Sequence, residues 1–144
     1  MDSVMNSLHF MYCMERFATE VYRTQRGAFG KSKLADEFMA AKENEHEHAE
    51  SLRKRVIEIR GVPARMGFLF QLAGIILGIL TRIFGKHCMF RADILVEKRA
   101  IKDYDSFVSR IDFDEQTIAL LRRIIQDEER HVENWQNALT SLKA

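Results

Sequence analysis

Two Glu-x-x-His pairs constrain this chain more than any other feature: Glu45 with His48, and Glu128 with His131. Around the first, Leu34, Phe38, Ala41, Leu52, Val56 and Ile59 recur at alternating steps of three and four, the spacing of one buried helix stripe. Both members of the pair fall in that stripe. Around the second pair, Leu121, Ile124, Trp135, Ala138 and Leu142 repeat the pattern. A carboxylate in an apolar stripe is destabilising unless a cation or hydrogen bonds meet it. No Lys or Arg is read in the Glu45 stripe, so something else is expected to meet the carboxylate there. The competing frame, Glu43 with His46, falls with Glu50 and Arg53 on a charged face and reads as solvated.

Two more helices each carry an acid in an apolar stripe. Helix 1 is expected from a cap at Asp2 or Ser3 to near Gly27, with the stripe Val4, Leu8, Met11, Glu15, Ala18, Tyr22 and Gln25. Glu20 lies well round that helix and is the weaker candidate. Ser32 is the expected cap of helix 2, which runs to about Arg60 before Gly61 and Pro63. Helix 3 starts after Gly85 and repeats the plan with Phe90, Ile94, Glu97, Ile101, Tyr104, Val108 and Ile111, again with a single acid in the stripe. A turn at Asp112 to Asp114 carries the cap of helix 4.

Between helices 2 and 3 lies the most apolar stretch, Met66 to Leu80. It falls short of the roughly 20 apolar residues of a membrane span. Two readings stand: a buried crossover helix, or a segment that docks on a membrane or admits an apolar substrate, with Arg60, Arg65, Arg82 and Lys86 at its ends. If exposed, it needs cover from a membrane or from a second copy in a homodimer. Gly74 and Gly78, one turn apart, allow another helix to approach closely.

A chain of 144 residues holds one domain with a sizeable core and is too short for two ordinary ones, so residues 1–144 are expected to form a single domain. The helical period runs through most of the sequence, only one proline interrupts it, and no strand pattern is present, which argues for an all-α fold. A net charge of +1, with bases interleaved among acids, excludes a general polyanion surface, and nucleic acid is not an expected partner. Cys13 and Cys88 form no Cys-x-x-Cys knuckle and read as reduced packing residues. With no secretory pattern at the start, a cytoplasmic location is expected, and the Met66–Leu80 segment opens the alternative of peripheral attachment to the inner face of the cell membrane.

Four helices thus each offer an in-stripe glutamate, and two add a histidine. Glu15, Glu45, His48, Glu97, Glu128 and His131 are expected to converge in an antiparallel four-helix bundle, as the ligand set of a carboxylate-bridged dinuclear metal centre. Each ion takes one imidazole and one terminal carboxylate, two glutamates bridge, and four carboxylates offset two divalent cations. Oxygen and imidazole ligation suits iron or manganese, and iron if dioxygen is activated. One such pair alone is a weak signal, whereas two pairs with two single glutamates in register are hard to obtain from a purely structural bundle. His9, His46 and His87 lack in-stripe acids and read as solvated or locally satisfied. Tyr22, Gln25, Tyr104 and Asp127 lie on or beside the ligand faces, placed to orient imidazoles or water. Against that stands a plainer reading of Tyr22 and Tyr104 as core aromatics. Trp135 reads as packing.

With these residues in view, the chain resembles the ferritin-like di-iron carboxylate superfamily and, within it, the demethoxyubiquinone hydroxylase family. Glu15-Arg-Phe-Ala18-Thr-Glu-Val21-Tyr22-Arg-Thr-Gln25 is similar to the family's Glu-x-x-Ala-x-x-Ile-Tyr-x-x-Gln. Pro63, Leu72-Ala73-Gly74-Ile75-Ile76-Leu77-Gly78, Gly85 and Val96-Glu97 follow its Pro, Gly-x-x-Leu-Gly, Gly, Val-Glu succession, and Asp127-Glu128-Glu129-Arg130-His131 resembles its last ligand motif. The resemblance spans Glu15 to His131. It implies a ferritin-like four-helix bundle with a long apolar crossover between helices 2 and 3. It also implies two iron ions and an oxygen-dependent monooxygenase that hydroxylates a quinone ring in ubiquinone biosynthesis, with dioxygen and a hydrophobic quinone as partners and membrane contact through Met66–Leu80. Asp103-Tyr104 stands where the family has His-Tyr, a position used in electron or proton delivery, and Tyr22, Asp103 and Tyr104 are the catalytic candidates. The alternative is a rubrerythrin-like or ferritin-like protein that reduces peroxide or oxidises and handles iron. His131 departs from the common ferritin pattern, and Ile94 stands where rubrerythrins carry a further glutamate. A third reading is a helical interaction module whose metal only stabilises it.

Overall fold

Ser32 and Asp114 fix where two of the long helices begin. The Ser32 side chain accepts the Ala35 N–H at 3.2 Å, and Asp114 accepts the Thr117 N–H at 2.8 Å. In this computed structural model, which describes residues 2–142, the order is α1 (Asp2–Arg26), α2 (Lys33–Glu58), α3 (Gly67–Phe84), α4 (Lys86–Arg110) and α5 (Glu115–Ser141). No strand occurs among the described residues. α1 already includes Asp2 and Ser3, so neither is the helix cap expected of them.

α1, α2, α4 and α5 form the bundle. Tyr22 on α1 meets Glu97 on α4 and Tyr104 on α4 meets Glu15 on α1, so these two helices run antiparallel. α2 and α5 do the same, through His48 with Asp127 and Arg55 with Thr117. Apolar residues close both ends. Leu8, Met11, Leu52, Leu121 and Ile124 pack at one end, and Phe38, Met89, Phe90 and Trp135 at the other, where Phe38 stacks on Trp135 at 4.5 Å between ring centroids. Burying each such side chain contributes about 1.5–3 kcal/mol. The acids and imidazoles lie between these two plugs.

The two halves share one plan. Tyr22 stands seven residues after Glu15 and Tyr104 seven after Glu97; each of α2 and α5 carries a Glu-x-x-His and starts at a side-chain cap. What joins the halves is α3, which lies along α1 in the same direction. Gly67 sits at Tyr12, Gly74 at Phe17 and Gly78 at Thr24. A Cβ at Gly74 would stand 2.3 Å from the Phe17 carbonyl oxygen, and one at Gly78 would stand 2.7 Å from Thr24 Cβ. The two glycines thus allow the close approach expected of them, and the partner is α1. Gly85 then ends α3 and opens α4 at φ 95°, a conformation that side-chain-bearing residues rarely adopt.

Three expectations need correction. The buried-crossover reading of Met66–Leu80 fails: α3 buries only Gly67, Gly74, Gly78 and Thr81, while Phe68, Ile83 and Phe84 are 63%, 72% and 73% exposed. The small residues face α1, and the large ones have no second layer to pack on. The helix also continues past Leu80, because the Thr81 hydroxyl bonds back to the Leu77 carbonyl at 2.9 Å and Arg82 Nη1 donates to the Thr24 carbonyl at 3.2 Å. By length and composition α3 is apolar enough to cross a bilayer. Second, Arg55 does share the Glu45 stripe. It is buried but far along the helix, bonded to Thr117 at 2.8 Å, Gln116 at 2.9 Å, Glu58 at 2.9 Å and Asp114 at 2.5 Å, and it ties the end of α2 to the start of α5 instead of neutralising Glu45. Third, α4 buries two acids, Asp93 as well as Glu97.

Candidate metal centre

Each bundle helix turns one glutamate inward midway between the apolar plugs. Glu15, Glu45, Glu97 and Glu128 are buried, as are His48 and His131. Their donor atoms fall into two groups. Glu15, Glu45, His48 and Glu128 form one; Glu45, Glu97, Glu128 and His131 form the other, with the atoms of each group within 4.8 Å of one another. Glu45 and Glu128 belong to both. They come from the two Glu-x-x-His helices, while the unshared glutamates come from α1 and α4.

Both imidazoles aim Nδ1 into the cluster. His48 Nδ1 lies 3.1 Å from Glu128, 3.4 Å from Glu15 and 3.7 Å from Glu45; His131 Nδ1 lies 2.9 Å from Glu45, 3.1 Å from Glu128 and 3.4 Å from Glu97. Burial alone would lower the pKa of each ring, but the surrounding carboxylates outweigh it and raise both. The same crowding raises Glu45 and Glu97, through burial first and then through the neighbouring carboxylates. Despite these short separations, Glu45 Oε1, His48 Nδ1 and Glu128 Oε1 are buried without a hydrogen bond of acceptable geometry. They converge on shared points rather than on each other. Four carboxylates and two imidazoles so arranged suit two divalent cations, which would satisfy the orphaned atoms and supply the positive charge that the stripe lacks.

Hydroxyl and carboxylate groups brace the donors from outside. Tyr22 donates to Glu97 Oε1 and Tyr104 to Glu15 Oε1, each tyrosine reaching the glutamate of the opposite helix. The plainer reading of these rings, with hydroxyls bonded elsewhere, therefore does not hold. Burial, then the adjacent carboxylates, raise both phenol pKa values well above the ordinary range, so both hydroxyls stay protonated donors. Trp135 Nε1 donates to the Tyr22 hydroxyl at 3.0 Å, which adds a polar role to its packing. Asp127 Oδ2 accepts His48 Nε2–H at 2.9 Å, and Arg130 holds the other oxygen at 2.6 Å. Burial pushes the Asp127 pKa up, but the His48 and Asn44 bonds and the Arg130 charge bring it below the usual value.

Other candidates lie elsewhere. Asp103 is not brought to the centre; its carboxylate is taken by Arg99 Nε at 2.9 and 3.0 Å, four residues back on the same helix. Gln25 bonds no imidazole and instead donates Nε2 to Asp93 Oδ1 at 2.8 Å and to Thr81 Oγ1 at 3.0 Å, linking α1, α4 and α3. Asp93, like Arg55, is a buried group that the sequence reading missed. Its position one turn before Glu97 was the available signal, and burial raises its pKa to about 8. Glu43, His46 and His87 face solvent, Glu20 pairs with Arg23, and His9 meets the Val62 carbonyl at 2.7 Å.

A cavity of about 10 Å³, room for about one water, touches all four donor glutamates between α1 and α4 and is walled by Met14, Ala18, Val96 and Ala100, with no imidazole in its lining. A larger groove of about 400 Å³ opens where α1 meets the start of α3, lined by Phe10, Cys13, Pro63, Met66 and Phe70 among others, and includes none of the six donors.

The fold has a known counterpart. A dodecameric thioferritin, the bacterioferritin-related protein of Bacteroides fragilis, superposes with a TM-score of 0.79 at 20% identity, covering 99% of this chain and 87% of its own. The shared architecture is the ferritin-like helical bundle. No curated protein matches the chain in sequence. The family described as "Ubiquinone biosynthesis protein COQ7" matches residues 12–141, a span that holds all six donors and both bracing tyrosines, and the chain belongs to that family.

Proposed function

We propose that the protein is an oxygen-dependent di-iron monooxygenase that hydroxylates a prenylated, quinone-type ring. The observation that carries this reading is the convergence of four buried glutamates and two histidines into two overlapping donor groups, within a chain of a ubiquinone biosynthesis family. Glu45 and Glu128 would be shared by both ions, Glu15 and His48 would complete one position, and Glu97 and His131 the other. When bound, a pair of iron ions supplies the one-electron chemistry that dioxygen requires. The chain does the rest. Tyr22 and Tyr104 hold the two unshared carboxylates, and their hydroxyl protons stay in place at neutral pH. Asp127 keeps the His48 ring turned with Nδ1 inward. Met14, Ala18, Val96 and Ala100 wall the carboxylate side with apolar groups and leave it as the approach for a guest between α1 and α4.

The exposed apolar face of α3 supports contact with a lipid surface. Phe68, Leu72, Ile76, Ile79 and Ile83 crowd one side of the molecule, and Arg65 and Lys86 flank the helix. A membrane there gives a tailed substrate a route to the protein.

Iron-loaded, chemically reduced protein mixed with dioxygen and a short-tailed demethoxyquinol is expected to yield the hydroxylated ring. Full iron loading without turnover of any quinol would overturn the reading, and rapid peroxide consumption in its place would move the protein to the peroxide-reducing class. Flotation with anionic vesicles tests the lipid contact. Binding by the parent and loss of binding in Phe68→Glu/Ile76→Glu is the expected result, and no binding by the parent removes the membrane from the proposal.

A further inference from the structure

The two halves of the bundle carry the same donors and the same bracing tyrosines, but they differ in what meets the outer face of each imidazole. The residue before the shared glutamate is Asp127 on α5 and Asn44 on α2. Asp127 Oδ2 accepts the His48 Nε2–H at 2.9 Å, and Asn44 Nδ2 reaches the same oxygen at 3.4 Å. A carboxylate that accepts Nε2–H fixes the tautomer of His48, leaves Nδ1 as the donor atom, and makes that atom more basic. His131 presents the same Nδ1 to Glu45, Glu97 and Glu128. Yet Nε2 of His131 has no hydrogen-bond partner among the described residues, and Asn44 Oδ1, the counterpart of the Asp127 oxygen, is buried without one.

We infer that the two cation positions are inequivalent, the one at Glu15 and His48 filling first and more tightly, with Asp127 as the positioning residue that sets the order. This rests on the metal reading above and adds a sequence of loading to it. A second ion would meet the like charge of the first and share Glu45 and Glu128 with it, which would widen the initial difference.

The test is anaerobic titration of the full chain, stripped by chelator, with Co²⁺ followed by calorimetry. Two ions per chain are expected, the first bound at least about tenfold more tightly. Outer partners of ligating histidines commonly govern about 10- to 100-fold in affinity. Asp127→Asn should therefore weaken the first step by about that factor while leaving the second nearly unchanged, so that the two steps merge. A variant harmed only in its packing would weaken both steps together, and that result overturns the inference. Should Asp127→Asn not fold, anomalous scattering from parent crystals given one equivalent of Mn²⁺ decides the matter. Density beside His48 supports the order, and equal density at both positions defeats it. Two ions bound with equal affinity sink this inference alone; no ion bound sinks the metal reading and this inference with it.

Discussion

Asp93 sits on α4 one turn before Glu97, fully buried, with a single partner, the Gln25 amide, and no ion pair among the described residues. Gln25 Oε1 and Asp93 Oδ2 both lack a donor. A proton on Asp93 supplies one, in keeping with a pKa raised to about 8 by burial. Since the same side chain titrates near about 3.9 when unfolded, the contribution of Asp93 to stability is greatest below that value, falls as pH rises by up to about 1.4 kcal/mol per unit, and levels off above about 8. Asp93→Asn carries no charge and can still bond to Gln25. Its melting temperature is expected to gain on the parent's steadily between about pH 4 and about pH 8; parallel melting curves would show that Asp93 is not held neutral. The tyrosines differ in a similar, testable way. Tyr22→Phe strips both Glu97 and Trp135 of a partner and is expected to cost about 2–3 kcal/mol in urea denaturation, whereas Tyr104→Phe strips only Glu15 and should cost about 1–2 kcal/mol.

Among the elements, α3 gains its place through absence of side chains. With a Cβ 2.3 Å from the Phe17 carbonyl, Gly74→Ala must push α3 off α1, at a cost of about 1–3 kcal/mol in thermal or urea unfolding. A variant as stable as the parent would mean that α3 is looser on α1 than its contacts imply. The four bundle helices were legible in the sequence from their period and from the caps and glycines between them, whereas α3 showed only as an apolar stretch that stops four residues short of its end at Phe84. What α3 packs on was not legible. An apolar run of that length reads alike whether it is covered on all sides or on one, and the deciding residues are the small ones, Gly67, Gly74, Gly78 and Thr81. The six donors were legible for the opposite reason, since charged residues stand out when they keep an apolar period. Asp93 and Arg55 escaped because a search for a narrow apolar seam passes over polar groups near it, although a buried helix face is wider than a seam. The pairings of Tyr22 with Glu97 and of His48 with Asp127 join helices distant in sequence and needed three dimensions.

For the molecule as a whole, a centre that takes up cations would make stability depend on their supply. An ion that binds only the folded chain adds about 2.7 kcal/mol when present at a hundred times its dissociation constant. Loading with Fe²⁺ or Mn²⁺ is expected to raise the melting temperature and to release protons, because the raised imidazoles and carboxylates must give theirs up. Loading should accordingly weaken at low pH. Glu45→Ala, which removes a donor common to both groups, is expected to lose most of its bound metal while remaining helical; full retention of two ions would count against the site. One further consequence follows from the way α1 is shared. Glu15 and Tyr22 face the donors from one side of that helix, while Phe17, Val21 and Thr24 take α3 on the other. A single rod about 10–12 Å across is therefore all that parts the greasy exterior from the carboxylates.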